Sequence, residues 1–300
     1  MNYEIIQEKL KVIDFPIDIQ KIEGIPEAMG RKVVRLDHAP NTPLGIVGSR
    51  YKPIPHMEAF GGALNAMKMG GLNFKNAKLD IESYENGAMA KMELMLPEHH
   101  AVVGDHNLYL KFVARNSYNA KWKFQSFFGW LNEVCFNTLV SGQKIAYTAS
   151  RHTTHFNVES SNKKIQNSVN AITDETETFK KWWDKKVEDE EVSYMFERTL
   201  AKSQANEAKI IAGCPDTNKK QLYELMGLYS EEAKQIHGKG DYGRNGAKGS
   251  LWCAYQSATA WSTHLRDLVG IRKGHIVQQQ RQQAVKNMIN SKEWKVLENA

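Results

Sequence analysis

The sequence predicts an α+β fold, with a core of helix, antiparallel β-meander and helix, followed by a mostly α-helical C-terminal half. Three patterns predict it. From His56 to Met69, residues Met57, Phe60, Leu64 and Met67 recur at helical spacing and share one stripe. Over residues 78–115 apolar and polar side chains alternate, the period of a strand with one buried face. From Asn157 onward the alternation ends and five long runs of helical character take over.

Taken in order, residues 1–43 hold a short helix, a segment punctuated by Pro16 and Pro26, and a strand over 31–36. Residues 37–43 carry two prolines and form a loop. Residues 44–54 make two short extended pieces that meet near Gly48 and Ser49. In the meander, Leu79 and Ile81 face one way while Lys78, Asp80 and Glu82 face the other. Glu85-Asn86-Gly87 supplies the Asn-Gly pair of a two-residue hairpin, whose central residues both take positive φ. Ala88, Ala90, Met92, Leu94 and Leu96 then share a face until Pro97 stops the strand. After a turn at Gly104-Asp105, Leu108, Leu110, Phe112 and Ala114 lie opposite Tyr109, Lys111, Val113 and Arg115. The core closes with a helix in which Phe124, Phe128, Leu131, Cys135 and Leu139 recur every three or four residues. Residues 144–153 are β-prone, and 162–186, 193–212, 219–237, 249–269 and 275–297 are helical. A boundary near residue 156 separates an α+β domain, 1–156, from a helical region, 157–300, that packs on or oligomerises around it. No repeat near forty residues is present, which excludes a solenoid.

At 300 residues the chain can bury a sizeable core, and 41% hydrophobic with 25% charged residues marks a soluble globular protein. No apolar run approaches the ~20 residues needed to span a bilayer, so no membrane is expected. Residues 1–10 place acidic side chains inside an amphipathic pattern, unlike a leader peptide. Cys135, Cys214 and Cys253 are few, odd in number and far apart, which points to a reducing cytoplasm. The net charge of +6 makes a polyanion a natural partner.

Several groupings invite a chemical reading. Residues 237–249 form a glycine-rich basic loop, but without the Walker spacing and following a helix, so a flexible linker is expected, with transient nucleic-acid contact as the alternative. His99, His100, Asp105 and His106 flank one turn, whereas zinc ligands come from separated rigid places, so solvated side chains are expected. The same holds for His152 and His155. Cys135 fits a packing stripe, Ser49 lacks a nucleophile elbow, and Glu188 to Glu191 form a charge run at a helix end. Neither an enzyme nor a cofactor is expected.

Basic and aromatic residues interleave in the α+β half: Arg50-Tyr51-Lys52, Lys111, Arg115, Tyr118, Lys121-Trp122-Lys123, Lys144 and Arg151. Cations that track phosphates, beside rings on which bases stack, suit sequence-tolerant binding of a single strand. An ordinary solvated sheet face with Trp122 in the core fits the same residues.

Three stretches resemble the phage- and plasmid-borne family called domain of unknown function 932. They are residues 47–60, with Gly-Ser-Arg-Tyr-Lys-Pro-Ile leading to Glu-Ala-Phe; residues 132–139, with the later Arg151-His152-Thr153; and residues 251–261. Phe136 stands where the family usually has Ala. The resemblance implies a phage or mobile-element protein and carries over no catalytic residues. The meander-plus-helix order also resembles phage single-strand annealing proteins, an analogy of fold. The expected function is therefore non-enzymatic binding or annealing of single-stranded DNA in replication or recombination. Arg50, Lys52, Lys111, Arg115, Lys121, Lys123, Lys144 and Arg151 would contact phosphates, and Tyr51, Tyr118 and Trp122 would stack. The protein would act as a homo-oligomer alongside phage replication or recombination proteins. The alternative is a non-catalytic interaction module working through the helical half, with Trp182-Trp183 and Trp252 to Trp261 as anchors.

Overall fold

A computed structural model describes residues 1–38, 42–104, 106–132, 138–140, 148–150, 158–169, 172–201, 217–237, 249–263 and 271–300. The fold is α+β. The strands are β1 (Ile17–Lys21), β2 (Arg31–Arg35), β3 (Thr42–Val47), β4 (Lys78–Tyr84), β5 (Met89–Val103), β6 (His106–Ser117), β7 (Phe124–Asn132), β8 (Thr138–Val140), β9 (Thr148–Ser150), β10 (Lys186–Val187) and β11 (Gly249–Ser250). The helices are α1 (Tyr3–Leu10), α2 (His56–Met69), α3 (Val158–Val169), α4 (Ile172–Asp184), α5 (Asp189–Thr199), α6 (Thr217–His237), α7 (Leu251–Thr263), α8 (Ile271–Ile289) and α9 (Lys292–Asn299).

The chain divides into two compact units that interleave in sequence. The first holds 1–100, 109–129 and 144–172, and the second 101–108, 130–143 and 173–300. The sequence reading placed one cut near 156.

In the first unit, α2 covers His56–Met69 as its stripe predicts, and Phe60, Leu64 and Met67 are fully buried. Ala88, Ala90, Met92, Leu94 and Leu96 are likewise fully buried, as are Leu110, Phe112 and Ala114. Each large apolar side chain removed from water in this way stabilises by roughly 1.5–3 kcal/mol. The sheet is larger than a three-stranded meander: β4-β5-β6-β7 run in order, with β9 pairing β7. A second sheet, β1-β2-β3, buries Val33, Leu44 and Val47 against Phe15, Ala88 and Tyr118. Its outer strand β1 lies in the segment that the sequence showed as proline-punctuated. There the Ile19 N–H donates to the carboxylate of neighbouring Asp18 at 2.8 Å, on a strand with one unpaired edge.

Three local expectations are corrected. Residues 124–132 form strand β7, not a helix. Phe124, Ser126, Phe128, Trp130 and Asn132 alternate inward, and Phe124 paired with Phe128 satisfies a period of two as well as one of 3.6. Pro97 does not end β5, which runs on to Val103. Pairing with β4 stops at Met95, so a residue without N–H sits where that side of the strand is an edge. The turn after β4 spans four residues, with Tyr84 paired to Met89, and Glu85, Asn86 and Gly87 all take positive φ. A Cβ on Gly87 would meet the Phe15 ring at 2.6 Å, so glycine is needed there twice over.

The second unit is organised around α7, in which every residue from Leu251 to Ser262 is buried. A helix buried all round must satisfy its polar side chains internally. Ser257, Thr259 and Ser262 do so by donating to the carbonyls of Ala254, Gln256 and Thr259 at 2.8–2.9 Å. Phe179, Trp182, Trp252, Tyr255 and Trp294 form a continuous aromatic cluster with ring centroids 4.9–5.8 Å apart. Trp182, Trp252 and Trp261 are thus core residues, at most 5% exposed, and not surface anchors. Glu188 and Glu191 close a reciprocal capping box at the start of α5, a structural use for what read as a charge run. The glycine-rich loop at 238–248, Cys135, Cys214, His152 and His155 lie outside the described residues. Among the described residues, no helix is long and apolar enough to cross a membrane.

Candidate nucleic-acid interface

The alternation of β6 places Lys111 and Arg115 opposite Leu110 and Phe112, as the sequence predicts, but that face is not an open cationic surface. Glu82 stands directly across from Lys91 in the β4–β5 register. Lys91 Nζ lies 3.3 Å from Glu82 and 2.6 Å from Glu93, and Lys111 Nζ lies 2.6 Å from the other Glu93 oxygen. Two lysines and two glutamates thus form an electrically balanced ladder. Burial pushes the Glu93 carboxyl up, but Lys111 and Lys91 outweigh it and hold the group below its usual range.

Other predicted contacts are also taken up internally. Arg115 is 3% exposed and lies close enough to Tyr84 to act on its phenol electrostatically. Tyr118 is fully buried, its ring centroid 4.1 Å from that of His56, and its hydroxyl accepts the His56 N–H at 2.9 Å. Trp122 is 5% exposed, with its ring edge-on to Tyr84 at 5.7 Å. Lys121 is paired with Glu85. The expected basic groove is therefore corrected at Lys111, Arg115, Tyr118, Lys121 and Trp122, while Lys144 and Arg151 lie outside the described residues.

Arg50, Lys52 and Lys123 remain, and the fold gathers their segments. A turn is closed by the Tyr51 N–H to the Gly48 carbonyl at 3.0 Å. The Arg31 guanidinium braces it, donating to the carbonyls of Ser49 and Tyr51 at 2.7 and 2.9 Å. The Tyr51 hydroxyl crosses to donate to the Ser117 carbonyl at 2.7 Å, and burial pushes that phenol up to about 12. Ser117 in turn holds the loop before β7. Its hydroxyl donates to the Trp122 carbonyl at 2.8 Å and accepts the Trp122 N–H at 3.1 Å. Arg50 and Lys52 thus flank one end of a tether whose other end is the loop carrying Lys123. All three side chains are exposed and take part in no ion pair among the described residues.

Beneath the tether lies a polar network that the sequence did not reveal. His56 begins α2, with Nε2 donating to the Gly87 carbonyl at 2.9 Å, which leaves Nδ1 to accept from Asn116 Nδ2 at 2.9 Å. Asn116 Nδ2 also donates to the Ile54 carbonyl at 2.9 Å. The histidines near the β5–β6 turn have structural partners too: His99 Nε2 accepts the Asn73 N–H at 2.7 Å, and His106 Nδ1 meets Asn132 Nδ2 at 2.7 Å. Among the described residues no three His, Cys, Asp or Glu side chains are grouped to hold a metal. The signal for the charge ladder was present in the alternating signs of residues 82, 91, 93 and 111, once register is drawn. The network joins residues some sixty positions apart and had no such signal.

A family model described as Domain of unknown function (DUF932) matches residues 43–290, which takes in the Arg50 turn, the Ser117 loop and the network between them. No curated protein and no solved structure matches the chain.

Proposed function

The chain belongs to the DUF932 family, which supplies no activity, and from the site geometry we propose that it is a non-catalytic single-stranded DNA-binding protein. The reading rests on one observation: three exposed cations, Arg50, Lys52 and Lys123, which take part in no ion pair among the described residues, stand on two segments that the Tyr51–Ser117 hydrogen bond holds together. Cations on segments whose backbone is already held can meet phosphates without ordering those segments first, whereas the Lys91–Lys111 ladder would first have to surrender its glutamates. On this proposal the contact lies where Arg50, Lys52 and Lys123 stand. Strand annealing, self-association on DNA and a role beside phage replication or recombination proteins in the cytoplasm belong to the same proposal.

Fluorescence anisotropy with a labelled oligonucleotide tests it. Three phosphate contacts on a single strand give a salt slope of about −2, so affinity falls by about twentyfold between 50 and 200 mM salt. R50E/K52E leaves one of the three contacts, so it weakens binding and cuts the slope to about −0.7, while K111E leaves it in place. Binding insensitive to salt, or equal binding by R50E/K52E, rejects the reading. Mass photometry with and without oligonucleotide reads self-association separately.

A further inference from the structure

The second unit carries a groove of about 520 Å³ between α6 and the end of α7, lined by Tyr223, Glu224, Gly227, Leu228 and Glu231 from one and Ala260 and Trp261 from the other. We infer that this groove docks a basic amphipathic helix of a partner protein. The inference is independent of the nucleic-acid reading and would survive its failure.

The helix itself supplies the first argument. Gly227 sits in the middle of α6, where glycine weakens a helix relative to alanine. A Cβ there would meet nothing within 4 Å, so no contact among the described residues requires its absence. What the missing side chain does is leave the floor of the groove open, as Ala260 does on the facing helix. Small residues on both walls let another backbone come close. Tyr223, on the same wall, is 73% exposed, an amphipathic ring of the kind that anchors interfaces.

Charge selects the partner. Glu224 and Glu231 lie seven residues apart on α6, two turns or about 10 Å, and bracket Gly227. Glu231 has a salt bridge to Lys234 at 3.3 Å, but both side chains are well exposed, so that pair is readily exchanged. The other wall already holds a guanidinium: Arg281 lies 4.5 Å from the centre of the Trp261 ring, donates to the Trp261 carbonyl at 2.7 Å and feels the charge of Glu224. Cation on indole beside carboxylate is thus the chemistry this groove uses. An incoming helix with lysines or arginines two turns apart, and an apolar residue between them to fill the space over Gly227, matches each of these features. An acidic helix would place like charges against Glu224 and Glu231.

The full-length protein is titrated with a fluorescein-labelled leucine–lysine amphipathic helix, and separately with the same peptide carrying glutamate for lysine. Saturable binding of the lysine peptide is expected, weaker by about tenfold or more for the glutamate peptide. Gly227→Trp starts from a Cβ that meets nothing within 4 Å, and should cost about tenfold or more in affinity while its thermal midpoint stays at or above that of the parent. E224K/E231K should reverse the preference between the peptides, and Gly227→Ala should keep it. No saturable binding, equal affinity for the two peptides, or undiminished binding by folded Gly227→Trp overturns the inference.

Discussion

Glu232 on α6 offers a direct test of how burial without a partner acts on this protein. Its side chain is 7% exposed, and Oε2 has no hydrogen-bond partner among the described residues. Burial alone pushes its pKa from 4.5 up to about 7. Because the folded state prefers the neutral acid, the unfolded chain releases this proton at lower pH than the native protein does. Glu232 therefore costs nothing below pH 4.5, an increasing amount between 4.5 and 7, and its full penalty above 7. At ~1.4 kcal/mol per pH unit, that penalty is about 3 kcal/mol, a sizeable share of a typical folding free energy. Glu232→Gln cannot ionise and should lack this loss. The amide still enters a site with few partners, which costs about 1–2 kcal/mol at every pH. The variant should thus be slightly less stable than the parent at pH 4.5 and more stable by about 1–2 kcal/mol at pH 8. Urea unfolding of both proteins at pH 4.5, 6, 7 and 8 gives the two curves. If the stability difference between parent and variant does not change with pH, the burial argument is refuted.

Three further substitutions probe the features that position the candidate site and the core. Asn116→Leu removes two donated bonds in a fully buried place and strands the Ile54 carbonyl and His56 Nδ1, which should cost about 2–3 kcal/mol by urea unfolding. Tyr51→Phe deletes the bond to Ser117 and should cost about 1 kcal/mol, with weaker oligonucleotide binding and an unchanged far-UV spectrum. Gly104 has φ +55, and a Cβ there would fall 2.0 Å from the Trp183 ring; Gly104→Ala should lower stability by about 2–4 kcal/mol and alter the near-UV tryptophan signal.

The parts of this fold that were legible in the sequence are those fixed by local period. Helix α2 and the buried face of β5 could be read residue by residue, because both patterns persist over many positions and point one way. Strand β7 could not, because Phe124 and Phe128 satisfy either period and aromatic residues pack equally well in both; Ser126 and Asn132, polar yet inward, hid the alternation. The site divides along the same line. Arg50 and Lys52 on a glycine-led turn were legible as exposed cations. The neutralisation of Lys111 and the burial of Arg115 depend on which strand lies beside which, and on how far. Tyr51 and Ser117 are 66 positions apart, and no local pattern announces a bond of that reach.

Strand β1 bears on how copies of this chain can meet. With its own carboxylate plugging the outward amide of Ile19, that margin of the small sheet is poorly disposed to accept a neighbour's main chain. Growth by strand addition, the route to fibres, is disfavoured there. Any gathering of molecules along a polynucleotide would accordingly avoid that margin.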